Sequence, residues 1–84
     1  MQKPINDSST IVRGLLLPSE WLSDGTVTVL CIHTQEEEVI SIEMTSNKSL
    51  LMKHLRCEVV AIGKIKIDTK GRKTITITSF SVLP

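Results

Sequence analysis

The positions of four glycines constrain the fold of this 84-residue chain more than any other feature of its sequence. Two of them, Gly14 and Gly63, lie inside apolar runs, where a strand that bends sharply or lets another backbone come close has no room for a side chain. The other two, Gly25 and Gly71, stand at polar turn positions, and hairpin turns need residues that accept a positive φ. This arrangement predicts a small, closed β-barrel.

The composition indicates a single small domain with an aliphatic core. Only Trp21 and Phe80 are aromatic, and a domain of this size buries about 60% of the surface that its unfolded chain exposes. No segment approaches the roughly 18 consecutive apolar residues of a membrane span, and the polar start of the chain lacks the apolar run of a secretory signal. Two cysteines, Cys31 and Cys57, fit a reducing compartment, since secreted domains this small usually carry several disulfides. We therefore expect a cytoplasmic protein that makes no membrane contact.

Apolar periodicity and turn signals predict five strands and one helix. The strands are expected at Ile11–Leu17, Thr26–Thr34, Val39–Met44, Glu58–Ile67 and Thr74–Val82. The first strand is expected to stop at Pro18, which lacks a backbone donor. A helix of about three turns is predicted from Lys48 to Arg56, after N-cap residues at 45–47. Residues 1–9 are polar and are interpreted as a loose N-terminal arm, so the folded domain is expected to cover residues 10–84.

Alternation assigns the side chains of the second and third strands to two faces. In the second strand the core-facing set is Val27, Val29 and Cys31, and the outer set is Thr28, Leu30 and Ile32. In the third strand the core-facing set is Ile40, Ile42 and Met44, and the outer set is Val39, Ser41 and Glu43. The outer face of these two strands is therefore expected to be partly apolar and to carry no aromatic or basic residue.

The last strand carries apolar pairs of opposite parity, which are Ile75 with Ile77 and Phe80 with Val82. A regular strand would send one pair to the core and the other to solvent, because successive side chains point to opposite faces. Keeping all four in the core needs one extra residue in the strand. We therefore predict a β-bulge at Thr78 or Ser79.

The order strand, strand, strand, helix, strand, strand, with a glycine inside the first and fourth strands, resembles the OB-fold, a five-stranded Greek-key barrel. The matching segments are Ile11–Leu16 and Val59–Ile65, and the likeness covers about residues 10–83, as in short, free-standing prokaryotic OB domains. The resemblance implies an all-β barrel with one helix, in which a ligand lies across the outer face of strands two and three. An SH3-like barrel is the alternative fold, and the helix between strands three and four argues against it.

The outer face of strands two and three suggests a protein partner. Single-strand nucleic-acid binding normally needs stacked aromatic side chains and a basic groove, and this face has neither. The apolar strip expected there, formed by Leu30, Ile32 and Val39, is typical of an interaction surface. We therefore expect a non-catalytic module that binds a protein partner or a second copy of itself.

A basic segment near the end of the chain makes nucleic-acid binding the alternative. Residues 64–73 carry five basic side chains against one acid, although the net charge of the chain is only +1: Lys64, Lys66, Lys70, Arg72 and Lys73. Trp21, between the first two strands, would add a stacking surface, and together these residues could hold a phosphodiester chain from the side. The competing interpretation is that Trp21 packs over one barrel end and the basic residues solvate an edge hairpin.

Metal binding and catalysis have little support in the sequence. Cys31 and His33 form C-x-H, and His54 and Cys57 form H-x-x-C, spacings that place each pair on one face of a strand or a helix. A zinc site would need the helix end to meet the end of strand two, so core thiols and surface imidazoles are the expected outcome. The chain has no strained nucleophile turn, phosphate loop or paired-carboxylate motif. We expect no enzymatic activity, cofactor, metal or small-molecule substrate.

Overall fold

Five strands and one short helix form from the alternating apolar segments of the chain. In the computed structural model, which describes residues 9–43 and 48–84, the strands are β1 (Thr10–Trp21), β2 (Val27–Thr34), β3 (Val39–Ile42), β4 (Glu58–Ile67) and β5 (Lys73–Val82). The helix α1 (Lys48–Met52) lies between β3 and β4. Three predicted features fall outside the described residues: the arm apart from Ser9, the core-facing Met44 at the end of strand three, and the helix cap at 45–47.

The strands close into a barrel in the order β1-β2-β3-β5-β4. All neighbours are antiparallel except β3 and β5, which pair in parallel. The long β1 closes the barrel, because its first half pairs with β4 and its second half pairs with β2. The predicted fold class is confirmed: the chain is a closed five-stranded β-barrel with one helix in the order β-β-β-α-β-β, consistent with an OB-like fold.

Gly14 and Gly63 stand where two backbones approach too closely for a side chain. Gly14 pairs with β2 through Thr34 and with β4 through Val59, so it lies at the point where β1 changes partner. A Cβ at Gly14 would overlap the carbonyl group of His33, and a Cβ at Gly63 would overlap the carbonyl group of Thr76. Both glycines are buried, and the close approach predicted for them is confirmed.

The predicted bulge in the last strand is confirmed at Thr78. Opposite β4, Ile62 pairs with Ser79 and Gly63 pairs with Ile77, so Thr78 is the extra residue. Its hydroxyl donates a 2.9 Å hydrogen bond to the carbonyl of Ile62. The bulge lets Phe80 pack against the core in spite of its parity, although Val82 at the strand end is exposed and does not join the core.

The predicted orientation of β2 is wrong, because Leu30 and Ile32 are fully buried in the barrel core. They pair with Ile42 and Ile40, whose inward orientation was predicted. The cause is an irregular pairing with β1 in which Thr28 has no opposite residue. The alternation of inward and outward side chains therefore restarts at Thr28. Val27 also packs against the core, so counting alternate residues from Val27 assigns the residues after Thr28 to the wrong face.

β1 continues past Pro18 to Trp21, although the sequence predicted that it would stop there. Leu16 is the last β1 residue that bonds toward the β4 side, accepting from the N–H of Arg56 at 2.7 Å and donating to the carbonyl of Cys57 at 3.0 Å. Backbone groups two residues apart point the same way, so the nitrogen of Pro18 faces the side where this pairing has ended. A proline fits such an edge without the loss of a ladder bond.

The helix is shorter than predicted, because the chain leaves it to pair with β1. α1 ends at Met52, and the turns that follow close through bonds from the N–H of Lys53 to Leu50 and of His54 to Leu51. Arg56 adopts a positive φ of 68° and gives its N–H to β1. Leu51 is buried, so the helix and its turns cover one end of the barrel core.

Candidate functional site

The outer surface of β1, β2 and β3 carries a row of exposed side chains centred on a histidine. The register places Leu15 opposite His33 and His33 opposite Val39. Leu15 is 45% exposed and Val39 is 52% exposed. We call this row, together with the half-buried Leu17 on the same side of β1, the β1–β3 face.

Sequence reasoning found only one member of the β1–β3 face. Val39 is exposed as predicted, whereas Leu30 and Ile32 lie in the core. Leu15 and His33 were missed, although the sequence held a signal for the first of them. Gly14 was already assigned to a backbone contact inside the barrel, and alternation then sends Leu15 outward.

The next row of residues across the β1–β3 face has smaller side chains on β2 and β3, and these are partly covered. Cys31 lies between Leu17 of β1 and Ser41 of β3 and is 1% exposed. Burial raises the pKa of the Cys31 thiol, and a hydrogen bond with the Ser19 side chain offsets part of that effect. The thiol therefore stays protonated at neutral pH and acts as a small packing group beneath its larger neighbours.

A groove of about 360 Å³ lies beside Val39, between β3 and the β4–β5 hairpin. Arg72 and Lys73 line it, but each is held by an acid: Arg72 Nε lies 3.0 Å from Asp68 and Lys73 Nζ lies 2.7 Å from Glu38. These ion pairs neutralise the walls of the groove. Val39 is the apolar member of its lining.

Asp68 organises the hairpin that carries the basic residues. Its carboxylate accepts backbone hydrogen bonds from Lys70 and Arg72, both at 2.9 Å, and the side-chain bond from Arg72. The backbone bond from Arg72 is the main cause that lowers the pKa of Asp68. Gly71 closes the turn with φ of 83°, as the sequence predicted. The acid thus stabilises the turn and offsets the charge of Arg72.

Glu43 plays a similar part on the outer surface of β3, β4 and β5. It accepts a 2.7 Å hydrogen bond from the hydroxyl of Thr76 and lies 3.5 Å from Lys66. The Thr76 bond, followed by the charge of Lys66, lowers the pKa of Glu43. Three of the five basic side chains of residues 64–73 are thus ion-paired. Lys64 and Lys70 have no acidic partner within residues 9–43 and 48–84.

Trp21 and the basic hairpin lie toward opposite ends of β2. Trp21 pairs with Val27, and the hairpin lies near the other end of β2, where Glu38 meets Lys73. From Val27 to Thr34 a strand extends by about 23 Å. Trp21 is 59% exposed, but the structure does not bring it together with Lys64, Lys66, Lys70, Arg72 and Lys73.

The structure does not bring the two Cys-His pairs together as metal ligands. His33 lies on the β1–β3 face, whereas His54 packs edge-on against Phe80 with ring centroids 6.2 Å apart. Cys31 and Cys57 are both free thiols. In the part of the chain that the structure describes, no three His, Cys, Asp or Glu side chains are placed to hold a metal ion.

Comparison of the chain with models of protein families, with curated proteins and with solved structures finds no match. Among residues 9–43 and 48–84, no helix has the length and apolar character needed to cross a membrane.

Proposed function

We propose that this chain is a non-catalytic module of the OB-fold superfamily that packs its β1–β3 face against a second copy of itself. The observation that carries the proposal is the exposure of Leu15 and Val39 on either side of His33. Large apolar side chains exposed together on one sheet face are typical of protein-interaction surfaces. We place the module in the cytoplasm, where its two free thiols would persist.

A protein surface suits this face better than a nucleic acid does. Leu15, Leu17 and Val39 offer apolar area, and the face carries no Phe, Tyr or Trp on which a base could stack. The groove beside Val39 is walled by Arg72 and Lys73, and both are ion-paired. An apolar surface bordered by neutralised charges favours a partner of the same kind, with an apolar centre and a polar rim.

A second copy is the occupant that we name. The net charge of the chain is +1, so two copies repel each other only weakly. Most soluble homo-oligomers are closed two-fold dimers in which one patch contacts itself. The row Leu15–His33–Val39 supplies such a patch, because an antiparallel copy would set apolar residues against apolar residues around the central histidine.

Sedimentation over a wide range of protein concentrations tests the proposal. We expect wild type to associate and Val39→Glu to remain monomeric, because the substitution puts a charge in the contact. Val82→Glu is the matched control, since Val82 is also an exposed strand valine but lies on β5. A wild type that stays monomeric at every concentration would overturn self-association. Equal association of the two variants would overturn the assignment of the contact to the β1–β3 face.

Single-stranded nucleic-acid binding is the second candidate, and the exposure of Trp21 supports it. Because Trp21 and the β4–β5 hairpin lie toward opposite ends of β2, the bound strand would have to span the distance between them. If about three phosphates are neutralised, the log–log salt slope of binding should be about −2. Arg72→Ala and Lys64→Ala should each flatten that slope. Binding that does not respond to salt would exclude this function without affecting the dimer proposal.

A further inference from the structure

A histidine occupies the middle of the otherwise apolar row on the β1–β3 face. His33 is exposed, and the register sets Leu15 on one side of it and Val39 on the other. Neighbouring strands lie about 4.8 Å apart, so both apolar side chains flank the imidazole ring closely. A partner that covers Leu15 and Val39 therefore covers His33 as well.

No acidic side chain of the same copy is placed to pair with a protonated His33. Throughout residues 9–43 and 48–84, no carboxylate lies within ion-pair distance of its ring. β3 contributes no charged residue, since its sequence is Val-Ile-Ser-Ile. The titratable and charged groups on the other elements around His33 are Arg13, Cys31, Glu36, Glu37, Glu38 and, opposite Leu15 on β4, Glu58.

The groups nearest to the row are already neutralised within the chain. Arg13 lies 2.8 Å from Glu58, and Glu38 lies 2.7 Å from Lys73. The Cys31 thiol is protonated at neutral pH, because burial raises its pKa. These groups therefore supply no free negative charge beside the histidine.

The two remaining acids lie in the turn at residues 35–38, beyond the end of β2. Glu36 lines a groove of about 410 Å³ beside the first residues of β1, and Glu37 is exposed. In a single copy of the chain, water is thus what solvates a charge on His33. A partner that removes this water destabilises the charged form of the ring.

A two-fold contact through the β1–β3 face brings the His33 side chains of two copies together. His33 is the midpoint of the row, and a two-fold axis at this midpoint can match the apolar side chains in two ways. In one, Leu15 meets Leu15 and Val39 meets Val39; in the other, Leu15 of each copy meets Val39 of the other. Both arrangements set His33 against His33.

We propose that the two His33 side chains form a pH-sensitive contact, so that the chain associates at neutral pH and dissociates in mild acid. This inference rests on the self-association proposed above. An uncharged imidazole has one N–H donor and one acceptor nitrogen, so two of them can share a hydrogen bond. A doubly protonated pair has donors only, and it holds two like charges between apolar side chains.

The sign of the pH dependence follows from which form each state favours. The dimer favours uncharged rings, whereas the monomer leaves them free in water to take up a proton. Proton uptake therefore opposes association. Association is expected to be complete above the range in which histidine ordinarily titrates and to be lost as the pH falls through that range.

Sedimentation at pH 7.5 and pH 5 tests the proposal. At pH 5 about one ordinary histidine in thirty is uncharged, so the association constant of wild type should fall by about tenfold or more, even where a single proton is tolerated. His33→Gln takes up no proton, and the ratio of its two association constants should be close to one. His54→Gln is the matched control and should keep the full fall, since His54 packs against Phe80.

The outcomes separate this inference from self-association itself. A wild type that associates at least as strongly at pH 5 as at pH 7.5 would overturn the pH-sensitive contact and leave self-association standing. An equal fall in wild type and His33→Gln would do the same. A wild type that is monomeric at both pH values would overturn both.

The NMR signals of the two histidine rings give a second readout that needs no substitution. In concentrated protein the ring of His33 should take up its proton at a lower pH than in dilute protein, because association opposes the proton. The ring of His54 should titrate alike at both concentrations. Titration of His33 that does not depend on concentration, in protein that sediments as a dimer when concentrated, would contradict the proposal even if His33→Gln failed to associate.

Discussion

The outer surface of the barrel divides into two regions of different chemistry. The β1–β3 face presents apolar side chains around His33. The surface over β3, β4 and β5 is more polar, and several of its charges are paired within the chain, as in Glu43 with Lys66 and Thr76. A surface whose groups already satisfy one another has less to gain from a partner than one whose apolar area still faces water.

The position of the polar contacts also shows what each region contributes to the fold. Glu38 with Lys73 and Glu43 with Lys66 connect β3 and its preceding turn to β4 and β5. Among the described residues, three pairs form the parallel ladder that joins β3 to β5. The polar region thus reinforces the shortest ladder of the barrel, and the apolar region lies over the long antiparallel ladder of β1 and β2.

The largest expected effect is a loss of folding, and it tests which residues belong to the β1–β3 face. Leu30→Glu should unfold the domain, because a charge would be placed in a fully buried position without a partner. Val39→Glu, on the neighbouring strand, should keep a melting temperature close to that of wild type. Thermal unfolding followed by circular dichroism measures both. A folded Leu30→Glu variant would return Leu30 to the outer surface and undo the definition of the β1–β3 face.

The contrast between β4 and β2 explains how far the sequence could predict this structure. β4 has its predicted bounds, Glu58–Ile67, because its inward residues alternate without interruption around Gly63. The bulge at Thr78 was predictable because two apolar pairs of opposite parity required it. In β2 the irregularity at Thr28 has no such signature, since every alternate position there is apolar or neutral. The parity assignment therefore failed at Leu30 and Ile32.

The candidate sites were less predictable than the fold, because they depend on contacts between distant parts of the chain. The ion pair of Glu38 with Lys73 joins residues 35 apart in the sequence. Because the sequence does not reveal this pair, Lys73 was predicted as a candidate to bind a nucleic acid. The helix length depended on the bond from Arg56 to Leu16, which only the closed barrel creates.

A smaller effect is expected from two glycine substitutions that separate crowding from backbone conformation. Gly63→Ala should lower the free energy of unfolding by about 3 kcal/mol, because its methyl group would meet the backbone of Thr76. Gly71→Ala has open space around it and only an unfavourable φ of 83°, so about 1 kcal/mol is expected. Denaturant unfolding of the two variants gives both values. Equal losses of unfolding free energy would show that the β4–β5 ladder shifts easily to admit a side chain at Gly63. The β1–β3 face and the polar surface over β3, β4 and β5 would then not be held rigidly apart.

The smallest expected effect concerns the polar region and its response to acid. Because the pKa of Glu43 is lowered in the folded state, chiefly by the hydroxyl of Thr76, its carboxylate adds stability above its unfolded pKa. That contribution is lost as the pH falls through the folded pKa, below the ordinary value of 4.5. Glu43→Gln should therefore melt slightly below wild type at neutral pH, and the difference should shrink as both are acidified.

Salt separates the two partners of Glu43, since screening weakens the attraction to Lys66 much more than the hydrogen bond from Thr76. At high salt the difference in melting temperature between wild type and Glu43→Gln should fall only in part, and Thr76→Val should account for what remains. A difference that is the same at every pH would mean that Glu43 is not held by these contacts. Lys66 would then be available to an anionic partner, and the polar region, rather than the β1–β3 face, would become the better candidate for binding.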